Sequence, residues 1–156
     1  MRQITEVTVN PMNTGASVSL GRPTLQPSVS AKIISTSKNV PKASAPIAKA
    51  LVAAHERGVR VEAILDKTNL TDKYTNAPYL AKAGIPIKID SAHAIAHNKV
   101  MIIDNDIVVS GSFNFTKAAE ERNAENLLII HSKELSARYL GNWRAHQKHS
   151  IPYSLE

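Results

Sequence analysis

From residue 45 onward, apolar residues recur at two spacings, one near the helical period of about 3.6 and one near the strand period of about 2. Ser44 stands at a helix-capping position, Pro46 falls in the first turn, and Ile47, Leu51 and Ala54 share one face before Gly58 supplies the stop. Residues 59–65 then read as a strand. A second helix is predicted over about residues 76–83, halted by Gly84, and a strand over 85–89. Residues 100–103 are apolar, include β-branched side chains and contain no Gly or Pro, which predicts a buried strand. The turn Asn105-Asp106 and a second strand at 107–110 complete a hairpin. Thr116 precedes a short helical stretch at 117–122, and 127–130 is again an apolar strand. Ser132 caps a last helix, basic and amphipathic through Glu134, Leu135, Tyr139, Leu140 and Trp143 despite Gly141 in its interior. Helices alternating with strands in this way predict an α/β layered fold.

Residues 1–44 break the pattern. They are rich in Ser, Thr and Pro, almost without acids, and show no sustained apolar period. The chain therefore divides into an atypical N-terminal segment, 1–44, and a single patterned domain, 45–156. Ser35-Thr36-Ser37-Lys38 offers polar groups without the glycine spacing of a phosphate-binding loop, and reads as irregular polar chain.

At 156 residues and 43% hydrophobic content the chain can bury one ordinary core. No apolar run is long enough to span a bilayer, so stable membrane insertion is not expected. A formal charge of +6 favours a polyanionic partner, nucleic acid or an acidic membrane surface. Without cysteine there is no disulfide framework and no thiolate chemistry. The opening Met1-Arg2-Gln3-Ile4-Thr5-Glu6 lacks the blocks of a secretory signal, which makes a cytoplasmic location the default expectation.

The candidate chemistry is concentrated between residues 97 and 125. His97 and Lys99 have equal parity at the start of the strand and point the same way, whereas Asp104 leaves from the opposite face toward the turn, in a structural or charge-balancing position. Ser112 and Asn114 again share parity at the far end of the hairpin, and Glu125 stands at the entrance to the strand 127–130. An imidazole, an ammonium, a hydroxyl, an amide and a carboxylate converging on one point suit a phosphate diester. Lys99 and Asn114 would stabilise charge on phosphoryl oxygens, and a neutral His97 held by Glu125 could attack phosphorus.

These residues resemble the phospholipase D superfamily, whose motif is His-x-Lys with an aspartate after four intervening residues, and most closely its small bacterial Nuc-type endonucleases. The match runs from about Ala45 to the C-terminal helix. The resemblance implies a phospholipase D-like layered fold, a mixed β-sheet flanked by helices. It implies that His97 is the nucleophile, that Lys99 and Asn114 bind phosphate with it, that Ser112 and Glu125 support the histidine, and that Asp104 is structural. It also implies a covalent phosphohistidine, no metal ion and no cofactor. The family uses two histidines and this chain carries the motif once, so the resemblance implies a homodimer with the site on the two-fold axis. Many Nuc-type relatives carry an export signal. The family normally places two core strands and a helix before residue 45; none is evident here, and the expectation is a sheet short of one or two core strands.

The expected activity is thus metal-independent endonucleolytic hydrolysis of DNA, extending to RNA, with little sequence preference, since no recognition helix or zinc module is present. The alternatives are a phospholipase D-type phospholipid hydrolase and a catalytically impaired nucleic-acid-binding remnant. His93 and His97 are four apart, but Ala94 replaces the glutamate of His-Glu-x-x-His and the segment reads as loop. His55, His131, His146 and His149 read as solvated positions without partners, and Trp143 as a core anchor.

Overall fold

The computed structural model describes residues 7–9, 30–35, 45–72 and 75–155. In chain order the elements are β1 (Val7–Val9), β2 (Ser30–Ser35), α1 (Ala45–Glu56), β3 (Arg60–Asp66), a 3₁₀ turn (Lys67–Leu70), α2 (Ala77–Lys82), β4 (Ile87–Asp90), β5 (Lys99–Ile103), β6 (Ile107–Gly111), α3 (Lys117–Glu121), β7 (Asn126–His131), α4 (Lys133–His149) and β8 (Ile151–Pro152). The strands form one mixed sheet in the order β1-β7-β6-β5-β2-β3-β4-β8. Strands β2, β3 and β4 run parallel, joined by crossovers through α1 and α2, while β5, β6 and β7 form an antiparallel meander.

Strand parity divides the core into two layers. Ile33, Ala63, Leu65, Ile87 and Met101 face α1 and α2, with Phe113, Phe115 and Ala119 completing that side. Ile34, Ile64, Val100, Ile102 and Val108 face the other way, onto Leu140 and Trp143 of α4. Each fully buried aliphatic side chain contributes about 1.5–3 kcal/mol, so the two-sided sheet accounts for most of the cohesion. The cap read from the sequence at Ser132 is formed, its Oγ accepting from Leu135 N at 3.2 Å, and Thr116 caps α3 in the same way, Oγ1 accepting from Ala119 N at 3.2 Å. Ser44 and residues 36–38 lie outside the described residues.

The sheet is not short of its central strand, which corrects the expectation for the N-terminal segment. Strand β2 pairs in parallel with β3 from Ser30↔Arg60 to Ser35↔Leu65, and antiparallel with β5 from Ala31↔Ile103 to Ser35↔Lys99. Strand β1 adds to the edge at β7. Local pattern hides β2 because Lys32 interrupts its apolar run. Its ammonium is accommodated by distant groups, 2.7 Å from Glu62 Oε1 and 4.5 Å from the centre of the Trp143 ring.

A smaller difference concerns β4, which begins at Ile87 rather than Ile85. The Ile85 N–H is spent closing α2 on the Leu80 carbonyl at 3.2 Å, and Pro86 has no N–H to give a ladder.

Candidate active site

The parallel strands end together at Ser35, Asp66 and Asp90, and the hairpin β5-β6 brings Lys99 to the same edge. Ligand sites in open α/β sheets form at this end of the strands. The loop 91–98, between β4 and β5, runs across it and carries His97.

That loop is pinned by the strand ends beneath it. Asp66, fully buried, accepts from Ala96 N at 2.7 Å, and Lys67 Nζ donates to the His93 carbonyl at 2.9 Å. Ala96 is thereby held inward and its neighbour His97 outward, exposed at the rim. Lys99 is buried, and its Nζ donates back to the His97 carbonyl at 3.3 Å. Burial holds the Lys99 ammonium below its ordinary pKa, and the nearby Glu125 carboxylate works against that shift.

The opposite wall is built by the end of β6. A Cβ at Gly111 would stand 2.0 Å from the Asn126 carbonyl oxygen, so only glycine allows β6 and β7 to approach this closely. The approach lets Ser112 N donate to the Asn126 carbonyl at 3.0 Å while Ser112 Oγ accepts from Asn126 N at 3.0 Å. The Ser112 hydroxyl in turn donates to Glu125 Oε2, whose other oxygen accepts from Asn123 Nδ2 at 2.9 Å. Asn114 lies between Phe113 and Phe115, two buried rings 5.8 Å apart in an edge-to-face pair. Phe115 takes φ 55, a strained value for a bulky residue, and Asn114 borders a cavity of about 70 Å³ beside Met101.

His97, Lys99, Ser112, Asn114 and Glu125 therefore lie at or next to the strand ends on one edge of the sheet, with Lys99 near enough to feel the Glu125 charge. One relationship differs in detail. Glu125 holds Ser112 and Asn123 rather than the imidazole of His97. Asp104 follows the far end of β5, whose Lys99–Ile103 span is roughly 13 Å at a rise of ~3.3 Å per residue. It and Asn105, with φ 53 and 57, are the central pair of the β5-β6 turn, closed by Asp106 N on the Ile103 carbonyl at 3.1 Å. The Asp104 carboxylate accepts from Ser30 N at 2.8 Å, bracing the start of β2.

The residues missed by sequence reasoning are Asp66 and a second group around Asp90. The Asp90 carboxylate is fully buried, and its Oδ2 lies 2.6 Å from His146 Nδ1, 3.0 Å from His93 Nδ1 and 3.2 Å from His149 Nε2. Burial pushes its pKa up, but the bonds to His146, His149 and His93 outweigh this and hold it well below the carboxylate range. His146 and His149 are thus not solvated residues without partners, and His146 is itself buried. His55 Nδ1 likewise reaches the Val59 carbonyl at 3.3 Å. The available signal was the spacing of His146 and His149 on one helix face; Asp90, 56 positions before His146, carried none.

A family model described as cardiolipin synthase, PLD-like domain, matches residues 28–145. "Phospholipase D" of Rickettsia conorii is 50% identical over 97 residues, 62% of this chain and 48% of that protein. The match spans about half the length of such curated relatives. Among solved structures, Nuc from Salmonella typhimurium, a phospholipase D family member, superposes with a TM-score of 0.75 at 37% identity, covering 82% of this chain and 84% of that one. NucT from Helicobacter pylori gives 0.71 at 25% identity, with 80% and 82% covered. With the matched model beginning at residue 28, just ahead of the central strand, and running through the site into α4, the chain belongs to the phospholipase D-like domain family.

Proposed function

We propose that this chain is a metal-independent phosphodiesterase that cuts DNA, and RNA as a second substrate, with little sequence preference. The observation that carries the reading is the exposed His97 at a rim formed by the buried Lys99 ammonium and the Ser112–Glu125 pair. Likeness to Nuc and NucT over four fifths of the chain supports a nucleic-acid substrate, as does the charge of +6. Among the described residues no helix is long and apolar enough to cross a membrane.

In this reading a ring nitrogen of His97 attacks phosphorus and the bond to the leaving oxygen breaks. The leaving alkoxide takes a proton from the imidazolium of the partner's His97 across a two-fold axis. Water then attacks the phosphohistidine, passing its proton to that second ring, and His97 is released. Lys99 and Asn114 stabilise the charge that gathers on the equatorial oxygens. Ser112 and Glu125 position the groups around it, and Asp104 braces the fold from the far end of β5.

The test is cleavage of plasmid DNA in excess EDTA by the wild type and by His97→Ala, with mass in solution measured beside it. Cleavage by a wild-type dimer alone is expected; equal cleavage by both proteins would remove His97 from the chemistry. A second reading, hydrolysis of a phospholipid head group, is favoured by the relatives named phospholipase D. Hydrolysis of anionic liposomes without cleavage of DNA would put it first, and DNA binding without cleavage would leave a binding module.

A further inference from the structure

We propose that Asp90, His93, His146 and His149 form a binding site for one zinc ion, which fastens the end of α4 to the loop that carries His97. One donor atom from each residue lies within 4.8 Å of all the others. The three imidazoles are nearly equidistant, with ring centroids 5.0, 5.1 and 5.4 Å apart, and they surround one carboxylate oxygen.

Hydrogen bonding alone describes this arrangement poorly. Asp90 Oδ2 faces three ring nitrogens, although one carboxylate oxygen has about two lone-pair sites. Asp90 Oδ1 accepts from Ala92 N at 3.1 Å and shares the His93 Nδ1 contact at 3.2 Å, so both oxygens of the carboxylate are engaged. Each ring would also have to carry its one proton on the nitrogen that faces Asp90, which fixes three tautomers at once. A cation at the centre reverses the requirement, because each nitrogen then presents a lone pair and the buried carboxylate supplies the compensating charge.

The dimensions fit. The distances of 2.6, 3.0 and 3.2 Å from Asp90 Oδ2 to the nitrogens approach the edge of about 3.3 Å that a tetrahedron with zinc–ligand bonds of about 2.0 Å has. Three imidazoles and one carboxylate select zinc and its transition-metal neighbours over magnesium or calcium, which prefer oxygen. Four protein ligands close the coordination sphere, so the ion is structural.

Its position gives the site a purpose. Asp90 ends β4, His93 sits four residues before His97, and His146 and His149 form the last turn of α4. Among the described residues the loop is otherwise tied mainly to the ends of β3 and β4, through Asp66, Lys67 and Asp90. The ion would add a fixed point on the other face of the sheet.

The test takes the full chain, removes bound metal with a chelator and titrates it with zinc sulfate, with magnesium as the control. One equivalent of zinc per chain is expected, none of magnesium, and a rise in the unfolding midpoint of about 6–10 °C at a hundredfold excess over Kd. The double variant His93→Ala/His149→Ala removes two partly exposed side chains and should weaken uptake by far more than tenfold. Absence of stoichiometric uptake by the wild type, or equal uptake by the double variant, overturns the proposal. Should that variant fail to fold, cobalt(II) on the wild type decides: shifted proton resonances from three histidine rings support the site, and fewer than three overturn it. Uptake is read without substrate, so the outcome is independent of whether the chain cuts DNA.

Discussion

The Ser112 hydroxyl donates to the Glu125 carboxylate and at the same time accepts from the Asn126 amide, so a single oxygen links the loop after β6 to the first residue of β7. Removing it in Ser112→Ala leaves Glu125 with Asn123 alone. A hydrogen bond to a charged group is worth about 1.5–3 kcal/mol, so kcat is expected to fall roughly ten- to a hundredfold. Steady-state kinetics on a short oligonucleotide measure this, and an unchanged kcat would show that the pair serves the fold alone.

The Lys99 ammonium sits below its ordinary value of 10.5 because burial opposes its charge, with Glu125 counteracting the shift. If Lys99 must be protonated to hold phosphate, activity declines on the alkaline side as pH rises through a value below 10.5. Glu125→Gln removes the opposing attraction and should move that limb to still lower pH. A limb unmoved by the substitution assigns it to another group.

Asp66 is held below its ordinary carboxyl value of 3.8: burial pushes it up, but donors from Thr68 and Ala96 and the charge of Lys67 outweigh that. Because its folded value lies below its unfolded one, the stabilisation is present above 3.8 and is lost as pH falls through the folded value. Asp66→Asn should remove its share of this acid slope. At neutral pH it sets an amide donor against Ala96 N or Thr68 N, costing about 2–3 kcal/mol in urea unfolding. Since Ala96 precedes His97, kcat should fall as well.

Gly111→Ala would drive a Cβ to within 2.0 Å of the Asn126 carbonyl oxygen. The strands must part at the row that positions Ser112, so more than 2 kcal/mol of stability and most of the activity should go together. Amide exchange at Ser112 and Asn126 is the direct measurement, and normal protection there would refute the close-approach argument.

For Asp104→Ala the expected loss is in stability, about 1–2 kcal/mol, from the bond to Ser30 N and from placing alanine at positive φ. The kcat of the folded protein should change less than twofold. A large fall in kcat with stability intact would place Asp104 at the chemistry.

The sequence exposed those parts of the fold whose partners are close along the chain. The hairpin of β5 and β6 and the cap at Ser132 depend on neighbours a few residues away, and local period and residue type reveal them. The same hairpin places Lys99 and Ser112 at one edge of the sheet. What stayed hidden depends on distant partners. Strand β2 is a six-residue run whose lysine makes sense only beside Glu62 and Trp143. Asp90 reads as an ordinary strand end until α4 returns His146 to it. Glu125 was legible at the entrance to β7, but its choice of Ser112 over the imidazole depended on the close approach that Gly111 permits.

Strand β2 has ladder partners on both sides, the parallel unit through β3 and the meander through β5. Until that one short segment arrives during folding, each half presents a bare row of N–H and C=O groups from its most apolar strand. Such rows pair readily with other chains. The same six residues that complete the sheet therefore also shield it from self-association. A lesion confined to β2 should appear first as aggregation, with the residues of the candidate site still unaltered in the chain.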